Sequence, residues 1–167
     1  MAEKLTKSDI EKIEKEIEHR KLEVRPRLIA AVKEARAHGD LSENFEYHAA
    51  KREKNQNESR ISYLERMIKN AVIVSEDSAA GRVSMNNKVT LFYPDDNSTE
   101  TIKIVTSIRG NSLDGKISNE SPLGAAIFGR AVGDTVSVPM PGGGSYDVVI
   151  RSIDQSGGSD EDTIRRF

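Results

Sequence analysis

The sequence predicts an α+β protein, a long antiparallel coiled-coil helical hairpin followed by a small domain of short strands and one short helix. Three observations carry this. Eleven of the 12 glycines and four of the five prolines lie after residue 70, leaving only Gly39 and Pro26 before it. Before residue 70, apolar residues recur every three or four positions, the spacing of a helical seam. A single short break, around Gly39, divides that seam into two arms.

In the first arm the seam is Ile10, Ile13, Ile17, Val24, Leu28, Ala31 and Ala35. In the second it is Tyr47, Ala50, Lys54, Asn57, Ile61, Leu64, Ile68 and Ala71. One helix cannot bury such a stripe alone, so the arms fold back on each other. Each arm of about 25–30 residues is roughly 40 Å long at 1.5 Å per residue. Lys54 and Asn57 occupy seam positions where Leu is expected, and they read as residues that fix register at a cost in stability. Pro26 removes one backbone hydrogen bond mid-helix, so a kink is expected there. At the break, Gly39 suits the end of the first helix, with His38 beside its negative pole. Asp40 or Ser42 is expected to cap the second helix, and Asp40-Leu41-Ser42-Glu43 has capping-box spacing.

After residue 70 the strand-like runs are Ala71–Val74, Val89–Tyr93, Thr101–Ile108, Thr135–Val138 and Tyr146–Ile153, separated by turn residues. Ser121–Arg130 reads as a short amphipathic helix. The polar run after Asp154, rich in Gly, Ser and Asp, reads as a mobile tail. The expected division is therefore 1–74 hairpin, 75–154 globular domain and 155–167 flexible tail.

Composition narrows the function. The 167 residues carry a net charge of −2, with 31% charged and 36% hydrophobic. Residues 1–70 sum to +2 and the remainder to −4, so no global field marks a nucleic-acid binder. With no Cys, disulfides, thiolate nucleophiles and Cys-ligated zinc are excluded, which fits a reducing cytosol. The first 21 residues lack an apolar signal core, and no run approaches the roughly 18 apolar residues of a membrane span, so a cytoplasmic protein is expected. The histidines, His19, His38 and His48, have no metal-ligand spacing, and Pro141-Gly142-Gly143-Gly144 lacks the Lys and helix of a phosphate loop.

Chemistry concentrates at the tip. Asp40 and Glu43 are three residues apart, so their carboxylates can converge at a helix start. Two hard oxygen donors suit Mg²⁺ but fall short of a complete two-metal site. A D-x-x-E at a helix start is most often a cap, yet here the setting differs. Leu41 and Phe45 are apolar at an exposed turn. Arg36, Lys51 and Arg52 form a basic collar one and a half to two turns behind it, near Glu34 and Glu53. A basic collar behind an acidic point suits an anionic strand led toward a metal.

The run from Arg36 to Lys51, with Gly39-Asp40-Leu41-Ser42-Glu43-Asn44-Phe45-Glu46-Tyr47 at its centre, resembles the hairpin tip of the GreA/GreB family of bacterial transcript cleavage factors. Leu5-Thr6, Arg25-Pro26, Arg60-Ile61, Leu64-Glu65, Ser121-Pro122-Leu123-Gly124, Gly133-Asp134 and Pro141-Gly142-Gly143 extend the likeness across residues 5–153. The resemblance implies a coiled-coil hairpin with an FKBP-like domain, and a partner, RNA polymerase. The globular domain docks at the rim of the secondary channel, and the hairpin passes down it toward the extruded RNA 3′ end. Such a factor is no enzyme and holds no cofactor of its own; it stimulates the polymerase's endonuclease. Asp40 and Glu43 match the acids that support the second Mg²⁺ at the polymerase site and orient the attacking water. Arg36 and Lys51 match RNA-facing basic positions, with Arg52 beside them. Leu41, Ser42, Asn44, Phe45 and Tyr47 are the expected tip contacts. A monomer is expected, and the limited collar looks GreA-like. Phe45 stands where the family commonly has Ala, and Asp9 where it usually has Gly. The other readings are a channel-occupying regulator that inhibits without cleavage, and a peptidyl-prolyl isomerase suggested by fold analogy alone.

Overall fold

The computed structural model describes residues 2–39, 44–158 and 162–165. The chain forms two compact units: Asp9–Ala71 in one, and Glu3–Ser8 with Val72–Arg166 in the other. No helix among the described residues is long and apolar enough to cross a membrane.

The helical unit pairs two arms. The first runs through α1 (Lys7–His19), a π-helical turn (Arg20–Val24) and α2 (Arg25–Ala37); the second is α3 (Phe45–Lys69). Every expected seam residue is buried or half-buried, with Ile13, Leu28, Ala35, Asn57, Ile61 and Leu64 the most enclosed. Each large aliphatic side chain removed from water contributes about 1.5–3 kcal/mol. Where the sequence places a kink at Pro26, the structure has the π-helical turn immediately before it. Pro26 has no N–H to return to the preceding turn, and the wider turn accommodates that loss.

A polar network crosses the seam at this turn. Glu16 accepts from Arg20 Nε at 2.7 Å and from Arg60 Nε at 2.8 Å and Nη2 at 3.1 Å. Asn57 Oδ1 accepts from Arg20 Nη1 at 3.0 Å, and Asn57 Nδ2 donates to the Arg20 carbonyl at 3.4 Å. That carbonyl also accepts the Arg25 N–H that closes the π-helical turn. Asn57 therefore meets one particular carbonyl of the opposite arm, which is how a buried amide selects register. Outside the seam, Arg25 grips Glu58 with two parallel hydrogen bonds of 2.8 Å, and Lys21 pairs with Glu65. The Arg25 bond holds the Glu58 carboxyl below its usual range.

The globular unit is built on a five-stranded sheet. Its strands are β3 (Lys88–Tyr93), β4 (Ser98–Val105), β5 (Lys116–Ser118), β6 (Thr135–Pro139) and β7 (Ser145–Asp154), in the order β5-β4-β3-β7-β6. Only β4 and β5 run parallel; a register shift at Thr90/Leu91 bends β3 against β7. Val89, Leu91, Ile102, Ile104, Val136, Val138, Val148 and Ile150 face one side, and with Val83, Met85 and Ile127 make the core. Helix α4 (Pro122–Ile127) contributes Ile127 and packs on β5 and β6. The strand expected over Thr101–Ile108 ends at Val105, and Ser107–Arg109 form a 3₁₀ turn.

Two features depart from the sequence reading. First, β1 (Lys4–Leu5) pairs in parallel with β2 (Val72–Ile73), Val72 N–H donating to the Glu3 carbonyl at 2.9 Å and Val74 N–H to that of Leu5 at 2.8 Å. A single cut at residue 74 misses this, because two-residue strands carry no periodic signal. Second, residues 162–165 of the expected free tail are packed. Asp162 is buried between Lys103 and Lys116, and Arg165 N–H donates to the Ile108 carbonyl at 2.6 Å.

Tyr93 gives a pH prediction. Burial, then its 2.8 Å hydrogen bond to Glu100, raises the phenol above its ordinary value. The folded state thus holds this proton more tightly than the unfolded chain. Its contribution is complete below the unfolded pKa of about 10 and is lost as pH rises beyond it. Urea unfolding at rising alkaline pH is expected to show a steeper loss of stability for wild type than for Tyr93→Phe. Parallel curves would refute the assignment.

Candidate functional site at the hairpin tip

The end of the first arm is set by backbone geometry. His38 N–H donates to the Ala35 carbonyl at 3.2 Å, and Gly39 follows with a φ of +132°, a value that side chains rarely permit. Across the break, Asn44 caps α3: its Oδ1 accepts from the Tyr47 N–H at 3.0 Å. The same side chain donates through Nδ2 to the Ala35 carbonyl at 2.7 Å. One amide therefore starts the second helix and ties it to the last turn of the first. This corrects the expectation that Asp40 or Ser42 caps α3. Three capping residues stand within five positions, and only the one whose backbone turns extended immediately before the helix can reach the free N–H groups.

Asp40, Leu41, Ser42 and Glu43 lie outside the described residues. The side chains directly behind them form one assembly around Tyr47. The Arg36 guanidinium lies 5.6 Å from the Tyr47 ring centroid and the Lys51 ammonium 6.0 Å from it, so two cations from opposite arms share one aromatic face system. A hydrogen bond from Arg36, reinforced by the charge of Lys51, lowers the phenol from its ordinary value. His48 meets the same ring edge-on at 5.4 Å. His38 Nδ1 lies 3.1 Å from Glu46 Oε2, closing a second contact between the arms.

Arg52 belongs to an adjacent groove on α3, lined by His48, Lys51, Arg52, Asn55, Gln56 and Ser59. These residues recur three and four apart, so they form one polar, cationic stripe. Among the described residues, neither Glu34 nor Glu53 forms an ion pair with Arg36, Lys51 or Arg52, and all three collar residues are exposed. Phe45, the first residue of α3, is 87% exposed. Among the described residues, no cluster of three or more His, Asp or Glu side chains could hold a metal ion. Arg36, Lys51, Arg52, Asn44, Phe45 and Tyr47 thus lie toward one end of the hairpin. The Asn44–Ala35 tie and the His38–Glu46 pair carry no sequence signal, because each depends on how the arms meet.

The description "Transcription elongation factor, N-terminal" fits residues 3–73, and "Transcription elongation factor, GreA/GreB, C-term" fits residues 77–155. The chain belongs to the GreA/GreB family of transcription elongation factors. Transcription elongation factor GreA of Macrococcus caseolyticus (strain JCSC5402) is 42% identical over 149 residues, covering 89% of this chain and 94% of its own. GreA of Geobacillus kaustophilus (strain HTA426) is 46% identical over 140 residues, 83% of this chain and 89% of its own. Among solved structures, GreA factor homolog 1 of Thermus thermophilus covers 92% of this chain and 99% of its own, at 30% identity and a TM-score of 0.43. The two GreA/GreB family segments meet between residues 73 and 77, just after β2, where the chain leaves the hairpin for the five-stranded sheet.

Proposed function

We propose that this GreA/GreB family member enters the secondary channel of RNA polymerase and stimulates the polymerase's own cleavage of backtracked RNA, without being an enzyme itself. The observation that supports this reading is the Arg36–Tyr47–Lys51 assembly, whose residues flank Asp40 and Glu43 in the sequence. Two cations held on one aromatic ring offer an RNA phosphate positive charge and a stacking surface at low cost in side-chain freedom. The acids of the loop, Asp40 and Glu43, come next along the chain toward the tip.

A site of two carboxylates is too small to hold Mg²⁺ alone, since that ion is usually completed by several waters or phosphate oxygens. The described residues add no further cluster. Asp40 and Glu43 would therefore be part of a site whose other ligands belong to the polymerase, and a metal bound there would supply charge stabilisation for phosphodiester hydrolysis. Asp40 and Glu43 orient the attacking water; Arg36, Lys51 and Arg52 hold the extruded RNA. Asn44, Phe45 and Tyr47 shape the tip against the channel, with Leu41 and Ser42 in the loop between.

The test is RNA cleavage by stalled, backtracked polymerase. Asp40→Ala and Glu43→Ala are each expected to reduce stimulated cleavage by about 10–100-fold, the range seen when a ligand-orienting group is lost. Far-UV dichroism should be unchanged. Variants as active as wild type would sink the carboxylate mechanism. Inhibited synthesis with no shortened RNA, from the wild-type chain, would instead establish the non-cleaving regulator.

A further inference from the structure

Lys103 and Lys116 are register partners on the parallel strands β4 and β5. Like charges set side by side on a sheet repel, so this pair needs an anion between them. The chain supplies one from its own C-terminal segment. Asp162 Oδ2 lies 2.8 Å from Lys103 Nζ and Oδ1 3.1 Å from Lys116 Nζ, with Asp162 only 1% exposed. A third cation, the buried Arg109, donates through Nη1 to the Asp162 carbonyl at 3.1 Å. Backbone contacts align the rest: Arg165 N–H donates to the Ile108 carbonyl at 2.6 Å, and Lys103 Nζ donates to the Gly158 carbonyl at 2.5 Å. Arg165 also pairs with Glu3. Burial alone would raise the Asp162 carboxyl, but the hydrogen bonds from Lys103 and Lys116 outweigh it and lower it.

The occupant and the pocket differ in kind. The pocket sits on β4, β5 and the 3₁₀ turn, inside the segment matched by the GreA/GreB C-terminal description, which ends at residue 155. The occupant lies beyond it, after Gly157 and Gly158, and makes no strand or helix of its own. It is a short irregular peptide with one buried carboxylate, bound by a side-chain pair and main-chain hydrogen bonds, much as a ligand peptide is bound. We propose that Lys103 and Lys116 form a carboxylate pocket for the aspartate of a peptide segment whose backbone Arg109 holds, and that residues 162–165 are its resident, displaceable occupant. A tethered occupant acts at an effective concentration in the millimolar range, so it masks the pocket from weaker acidic partners and yields to one that binds better.

The test uses the full chain and a labelled synthetic peptide of residues 157–167, followed by fluorescence anisotropy. Asp162→Asn in the chain removes the resident carboxylate, and this variant is expected to bind the peptide at least about tenfold more tightly than wild type. Adding Lys103→Gln and Lys116→Gln, or placing Asn at the peptide's Asp162 position, should abolish that binding. Equal affinity for wild type and Asp162→Asn, or binding indifferent to the two lysines, overturns the proposal. So does competition by acetate or inorganic phosphate at concentrations equal to the peptide's, which would mark a simple ion site. A second measurement needs no substitution: excess unlabelled peptide should lower the ¹⁵N heteronuclear NOEs of Thr163, Ile164 and Arg165 in the wild-type chain. NOEs unchanged at millimolar peptide would show a fixed structural clamp.

Discussion

Gly124→Ala is expected to destabilise the globular unit by about 2–3 kcal/mol. A Cβ at this position would lie 2.0 Å from the Ser118 carbonyl oxygen, 2.9 Å from its carbon and 3.0 Å from Ser121 Oγ. The first contact is with backbone, which cannot swing aside as a flexible side chain would. The same oxygen is already in use: Ser121 Oγ donates to it at 2.7 Å and Ser121 N–H at 3.1 Å. Ser121 Oγ in turn accepts the Gly124 N–H at 3.1 Å and so caps α4. Moving Ser118 to admit a methyl group therefore strains β5 and loosens the cap together. Overpacking of this kind costs about 1–3 kcal/mol and loss of a cap about 1 kcal/mol. Against these, Ala in a helix gains at most about 1 kcal/mol over Gly. The clash wins. Urea unfolding of the two proteins measures the difference, and a change within about 0.5 kcal/mol of zero would show that the approach relaxes freely. Ser121→Ala, which removes only the cap, is expected to cost about 1 kcal/mol.

Glu16→Ala is expected to cost the helical unit about 2–3 kcal/mol. Only 8% of the Arg60 side-chain surface is exposed, and its guanidinium meets the Glu16 carboxylate through two nitrogens. Removing one partner of a fully buried pair costs about 3–5 kcal/mol, since the remaining charge stays in the protein unpaired. About a quarter of the Glu16 side chain is in contact with water, so the lower figure applies here. Arg60→Met, which removes the charge but keeps the volume, should cost less, about 1 kcal/mol, because the Glu16 carboxylate it leaves behind is a quarter exposed and keeps its 2.7 Å bond from Arg20. The order of the two variants distinguishes an uncompensated charge from lost attraction; equal losses would refute it. Acid titration gives an independent check. Burial raises the Glu16 carboxyl, but the bonds from Arg60 and Arg20 outweigh it, so its folded pKa is depressed. Its contribution is present above the unfolded value of about 4.3 and disappears as pH falls through the folded one. Glu16→Ala should therefore flatten the acid limb of the stability curve.

The parts legible in the sequence were those governed by local periodicity. The seam could be read residue by residue, because a helix repeats its environment every three or four positions. Strands with five or more alternating residues were placed within a few positions for the same reason. What escaped depended on meetings between distant segments. β1 and β2 have two residues each, and β5 has three, Lys116-Ile117-Ser118, too few for a pattern. The capture of Asp162 requires β4 and β5 to bring Lys103 and Lys116 into register first. At the tip, composition drew attention to the right stretch, yet Asp40, Ser42 and Asn44 are all capping residues by type. Only the geometry of the helix start singles out Asn44.

The parallel pairing of β1 with β2 has a practical consequence. The chain departs after Leu5 and returns at Val72, at neighbouring points of one small sheet, so the hairpin is topologically an insertion whose length the globular unit does not dictate. The helical arms then behave as an adjustable ruler. Deleting seven residues from each arm, between the Glu16–Arg60 network and the tip, should shorten the helical hairpin by about 10 Å at 1.5 Å per residue while keeping the seam in phase. A series of such rulers would convert reach into a measurable variable and leave both the tip residues and the β1–β2 pairing unchanged.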